Sequence, residues 1–183
     1  MIVVSVVGVL ATLAIFSVRA YLASAKTADA KEKVGAISRS AVAAYERARV
    51  TPEAAALGVS AAGEHQLCDT STWVPAAFAS IQGRKYQPNS TAGQDFDSGD
   101  DTQGWKCLRF TVTQPMYYRL HYDLDDGDWD GHLKNAGATA YFVAQAEGDT
   151  DGDGTPARFQ RGGVLDNDVI TTDTELWVSR ETE

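Results

Sequence analysis

The chain has 183 residues, enough for one globular domain with an appendage, and its 44% hydrophobic and 22% charged content excludes wholesale disorder. A net charge of −9 argues against nucleic acid as a partner, because binding a polyanion requires a basic stripe. That charge is uneven: residues 1–50 hold seven basic and three acidic groups, leaving nine basic and twenty-two acidic groups in the remainder.

Met1 to Val18 contains no charged residue. As a helix this segment rises about 27 Å, slightly short of a roughly 30 Å hydrocarbon core. It does not read as a cleaved secretory signal, since no basic residue precedes it and Arg19 and Tyr21 stand before Ala23-Ser24-Ala25. Taken alone, Arg19, Lys26, Lys31 and Lys33 would place the carboxyl side in the cytoplasm, unless a basic leader lies upstream. Beyond the apolar segment, Val34, Ile37, Ala41, Ala44 or Tyr45, and Ala48 recur at three- and four-residue steps between polar residues. No proline occurs before Pro52, and Gly35 weakens the run by about 1 kcal/mol relative to alanine. The pattern predicts one helix over residues 1–50, about 75 Å long, with residues 1–18 projecting as a transmembrane or filament-core segment. Gly8, Ala11 and Ala14 are small residues three apart, which let helices approach closely.

Residues 51–183 form the head. In the 51–104 region, Thr51-Pro52-Glu53 opens a short helix that Gly58 stops, and Pro75 and Gly83 bracket a second. Arg84 to Gly104, rich in Gly, Ser, Asp and Asn, reads as loop. Over 105–180 the pattern turns to strands. Trp105–Thr113 is strand-like, and Met116–Asp123 alternates, with Met116, Tyr118, Leu120 and Tyr122 on one face. Gln114-Pro115 between them predicts an antiparallel hairpin. Thr139–Ala146 is a third strand and Glu175–Arg180 a fourth, with a short extra one around Phe159. The expected class is α+β, the second half of the long helix covering one face of an antiparallel meander of about four strands.

The opening stretch MIVVSVVGVLATLAI resembles the amino-terminal helix of type IV pilins and of type II secretion pseudopilins. Mature chains of that family begin FTLIEL and continue MIVVAIIGILAAIAIP. The head, from VPAAF through GRKYQPN and PMYYRLHYD to AQAEGDTDGDG, looks most like pilin-like proteins of deltaproteobacteria, myxobacterial ones among them. The resemblance implies the pilin fold and a structural subunit of a type IV pilus-like filament. It further implies a Gram-negative inner-membrane anchor before assembly, an extracellular or periplasmic filament afterwards, and as partners identical or related subunits and the pilus assembly machinery. Met1 aligns with an internal methionine of the motif, so the leader, the peptidase site and the first six mature residues, with the family's glutamate, are expected upstream. Phe16 stands where the family has proline. The alternatives are a pseudopilin or minor pilin, and a monomeric membrane-tethered calcium-binding module.

Cys68 and Cys107 read as a disulfide in an exported chain; the rival is a zinc site with His65 and His121. Asp149, Asp151 and Asp153 alternate before Gly154, as do Asp126, Asp128 and Asp130 before Gly131. Each is the front half of a calcium loop, whose alternate oxygens converge on the ion. The bidentate acid of the twelfth position is missing, Gln160 and Gly137 standing there; some calcium loops borrow ligands from elsewhere, and Asp166 or Asp168 could serve the first. A solvated acidic turn without an ion is the plain alternative. His121 and His132 are expected at the surface, and Trp73, Trp105, Trp129 and Trp177 in the core or at its rim. No Ser-His-Asp constellation, phosphate loop or oxidoreductase motif is present, so neither catalysis nor an obligatory cofactor is expected.

Overall fold

The structure, a computed structural model, describes residues 2–47, 65–124 and 138–181, leaving out the side chains at 16, 19 and 20. One helix, α1 (Ile2–Glu46), runs unbroken through 45 residues. Burial starts at Thr27 and Ala30 and recurs at Val34, Ile37, Ala41, Ala44 and Tyr45. These three- and four-residue steps put one stripe on one side of a 3.6-residue helix. The stripe is the one expected from the sequence, except Ala48, which lies outside the described residues. Ahead of Thr27 the described side chains are exposed apart from the half-buried Ala23 and Lys26: Ile2 is 81% exposed, Leu10 59% and Leu22 52%. Among the described residues no helix is long and apolar enough to cross a membrane. The stretch with every side chain described, Ile2–Ile15, rises about 21 Å against a roughly 30 Å hydrocarbon core.

The buried stripe of α1 lies on an antiparallel sheet, over β2 (Ala140–Gly148) and β3 (Ala157–Asp166). Strand β1 (Arg119–Leu124) pairs with β2, which pairs with β3 along its whole length. The other edge of β3 is shared: β4 (Val169–Thr172) takes Gly163–Asp166, and β5 (Trp177–Ser179) takes Arg158–Gln160. In the gap between β4 and β5, Arg161 donates to the carbonyls of Asp173 and Thr174. The helix-facing side matches large residues with small ones across the strands. Leu120 stands opposite Ala146, and Tyr122 opposite Ala144, all buried. Opposite Phe142 is Gly163, where an added Cβ would lie 2.3 Å from the ring. Here glycine is required by the space the phenyl ring fills.

The architecture is α+β, as the sequence predicts, with three differences in the head. Trp105–Thr113 is not the first strand of a hairpin. Its start is a five-residue helix, α2 (Gly104–Leu108), closed by Arg109 at φ 54, followed by irregular chain. Gly104, Trp105, Cys107 and Leu108 are buried and Lys106 is exposed, a spacing of i, i+1, i+3, i+4 that suits a helix face. The edge of β1 that the hairpin would have taken is covered instead by residues 71–74. Ser71 N donates to Tyr122 O, and Val74 and Leu120 exchange backbone bonds of 3.0 and 2.8 Å. Secondly, Pro75–Gly83 contains only a 3-10 turn, Phe78–Ser80. Thirdly, β3 is ten residues long rather than a short extra strand, and β4 follows it through Asn167 and Asp168, at φ 48 and 63. The predicted helix at 51–58 and the boundary between helix and head at residue 50 lie outside the described residues.

Candidate functional site

The turn from β2 to β3 carries the acidic run. The two strands pair up to Gly148 and from Ala157, so the intervening residues loop out at the end of the sheet. Asp149 is fully buried, whereas Asp151 and Asp153 are exposed. The Asp149 carboxylate accepts the Gly152 N–H at 2.6 Å, the Gly154 N–H at 2.8 Å and the Gln82 amide at 3.4 Å. Its backbone carbonyl accepts the Gly83 N–H at 2.8 Å, fixing the loop to the 81–84 turn. Gly152 and Gly154, at φ 84 and 94, take the left-handed backbone that this wrapping demands. Burial pulls the Asp149 pKa up. The amides of Gly154 and Gly152, with the side-chain amide of Gln82, outweigh it and hold the carboxyl below its ordinary value.

The loop brings one carboxylate oxygen from each of Asp149, Asp151 and Asp153 within 4.8 Å of one another. Ligands at 2.3–2.6 Å from a calcium ion stand at most about 5 Å apart, so this trio fits the front half of a calcium loop. The back half does not form. Gln160 lies inside β3, and Asp166 sits at that strand's far end, nine residues or about 30 Å from Ala157. Asp168 is also there, accepting from the Tyr45 hydroxyl at 3.3 Å. The expectation that Asp166 or Asp168 completes the site is therefore corrected: three carboxylates converge, and the remaining ligands of a six- to eight-oxygen shell would be carbonyls or water. The alternative loop at Asp126, Asp128 and Asp130 lies outside the described residues, as do His132 and Trp129.

Cys68 and Cys107 are joined in a disulfide with their Cα atoms 5.8 Å apart, which takes both thiols from any zinc site. The bridge ties the chain before β1 to α2 rather than to a strand. Tyr122 OH donates to Cys68 O, and Arg47 donates to Cys107 O, so the same point is linked to β1 and to the end of α1. The two histidines named with it lie apart. His65 is exposed, its Nδ1 2.8 Å from Tyr45 O. His121 is not a surface residue as expected but buried, stacked on Trp73 at 4.4 Å. The alternation that put it on the outer face was right. Trp73, missed in the sequence, covers it on that face, and Arg119 in turn lies over the rings of Trp73 and Phe78 and pairs with the buried Glu147, which Arg158 also binds.

Gly8, Ala11 and Ala14 are exposed on α1, and a Cβ at Gly8 would meet nothing within 4 Å. The small-residue seam is thus uncovered, within a run of twelve exposed large apolar side chains from Ile2 to Leu22. No family model, curated protein or solved structure matches this chain.

Proposed function

We propose that the chain is a structural subunit of a type IV pilus-like filament, anchored in a membrane by the first half of α1 before assembly and joined to identical copies through that half afterwards. The observation that carries this reading is the division of one continuous helix into a buried half and a bare apolar half. Leaving twelve large apolar side chains in water is unfavourable by roughly 1.5–3 kcal/mol for each that could be fully buried. The sequence continues uncharged through Phe16, Ser17 and Val18, which brings the apolar run close to the thickness of a bilayer. Gly8, Ala11 and Ala14 give neighbouring helices a seam of close approach. The resemblance of the opening stretch to pilins supports the same reading, and no catalytic role is part of it.

Cysteine crosslinking tests the association. With Cys68 and Cys107 tied to each other, Ala11→Cys in the full chain supplies the one available thiol, and oxidation in mixed lipid and detergent should give covalent dimers. Ala43→Cys, on the exposed side of the head-bound half, should not. Equal crosslinking at both positions, or none at Ala11→Cys, contradicts the proposed seam.

Within this reading the Asp149 loop binds a calcium ion weakly, through the three converging carboxylates. Millimolar calcium should raise the melting temperature of the full chain in detergent, and Asp151→Asn should remove most of the rise. An unchanged melting temperature at millimolar ion identifies the loop as an acidic turn that its own amides satisfy.

A further inference from the structure

We propose that a second copy of this chain lays the open edge of its strand β4 along residues 110–113, beside the cavity of about 580 Å³ that separates them from residues 87–90. The proposal deepens the filament reading and rests on it, since it names a contact between the heads of neighbouring subunits. Phe110-Thr111-Val112-Thr113 has the composition and alternation of a strand, with Phe110 and Val112 half-buried and Thr111 and Thr113 exposed. It nonetheless belongs to no sheet, and among the described residues the backbone groups of Thr111 and Val112 have no backbone partner. The cause lies across the cavity. Tyr86 and Met116 exchange backbone bonds of 2.8 and 2.9 Å, and the next such pair of an antiparallel ladder would need an N–H from residue 88. Pro88 has none, so the two segments part and leave the cavity, floored by Phe96, Trp105 and Phe110.

Strand β4 has the chemistry of the missing partner. It pairs with β3 alone, so its outer edge is open. Val169 on it is 62% exposed, the one exposed large apolar side chain among the described residues outside α1. The charges are complementary as well. Asp166, Asp168, Asp173 and Glu175 flank β4 in the chain, with Arg161 the one cation bonded beside them. At the receiving segment Lys106 is paired with Asp97, and Asp95 accepts from Tyr86 and Asn89. That leaves Arg109 exposed, with no carboxylate partner among the described residues. The two surfaces lie on opposite edges of the head: Trp105 donates to Thr72 O beside β1, whereas β4 ends the sheet on the far side. A contact between two different surfaces leaves one of each free on every pair, so repetition extends an array. Four residues of strand span about 13 Å and bury far less than the roughly 800 Å² per partner of a stable interface. The contact therefore joins copies that the helices already hold together.

Crosslinking between full chains in mixed lipid and detergent tests this. The protein's own cysteines are tied to each other, so Thr111→Cys in one chain and Thr171→Cys in another, both at exposed positions, supply the reactive thiols. A short bismaleimide should give covalent dimers when the two chains are mixed, and few from either chain alone. Val169→Ser in the Thr171→Cys chain should slow dimer formation about tenfold, the effect of no longer burying a valine. Arg109→Gln in the Thr111→Cys chain should slow it about two- to fivefold, the loss of one exposed ion pair, whereas Arg84→Gln, an exposed cation away from the cavity, should not. An unchanged rate with Val169→Ser, or equal losses at Arg109→Gln and Arg84→Gln, reduces the effect to diffuse charge and overturns the pairing. Dimers as abundant from either chain alone as from the mixture overturn it too. No dimers from the mixture, while Ala11→Cys still crosslinks, leave the 110–113 edge to some other extended chain and overturn the inference alone. No dimers from the mixture or from Ala11→Cys overturn the filament reading and the inference together.

Discussion

Gly163 and Gly35 are both glycines inside regular elements, yet their surroundings give opposite expectations. A Cβ at Gly163 would overlap the Phe142 ring at 2.3 Å, so Gly163→Ala should destabilise the head by about 1–3 kcal/mol through overpacking. At Gly35 the nearest atom is Nη1 of Arg39, at 3.3 Å, the free end of an exposed side chain. Gly35→Ala should stabilise by up to about 1 kcal/mol through helix propensity. Denaturant unfolding of the two variants checks both signs. Asp149 adds a pH dependence. Its folded pKa lies below the ordinary carboxyl value of about 3.9, so its contribution is present above that pH and is lost as pH falls through the lower folded value. Stability measured from pH 6 down to 2 should therefore fall more steeply below pH 4 in the wild type than in Asp149→Asn. Parallel curves would show that the carboxylate is not what its amide donors stabilise. The Asp-x-Asp-x-Asp-Gly spacing made this loop legible in the sequence. Gln82, which meets it from a distant turn, and the ring stack that buries His121 left no local signal.

The disulfide acts at the scale of elements, linking α2 to the segment just ahead of residues 71–74, which cover the edge of β1. Replacing both cysteines by serine reopens a loop whose ends are 39 residues apart, at a cost of roughly 4 kcal/mol in the chain-entropy model. Thermal unfolding of the double variant should show the loss, and a melting temperature within a degree of the wild type would assign the stability of this corner to Trp105 and its neighbours instead. At this scale the sequence was legible where period and burial agree. The stripe from Val34 to Tyr45 and the alternation of Met116, Tyr118, Leu120 and Tyr122 are both buried as read. It misled over Trp105–Leu108, because a short run with two apolar pairs fits a strand or a helix turn equally well, and contact with α1 decides between them. β4 was missed because Val-Ile-Thr-Thr is brief, although Asn167-Asp168 before it, both at positive φ, is the pairing a two-residue hairpin turn favours.

For the whole molecule, the exposure division falls within α1, at Thr27, and the charge division falls between the helix and the head. The first half of α1 is apolar and exposed, and its second half, which carries most of the basic residues of the chain's start, packs against a predominantly acidic head. A chain built this way has a folded end and an apolar end, and in the proposed reading lipid or other copies cover the apolar end. The length of the helix and the exposure of its start were readable from the uncharged opening run, the three- and four-residue spacing after it and the absence of proline before Pro52, since no domain of this size covers so long a helix. The most direct test is the sedimentation of the full chain as detergent is diluted away, beside Leu10→Asp, an exposed position distant from the head. The wild type should pass into large, regular assemblies while Leu10→Asp remains a single folded chain. A wild type that stays monomeric without detergent, or a Leu10→Asp chain that assembles equally well, would contradict the account.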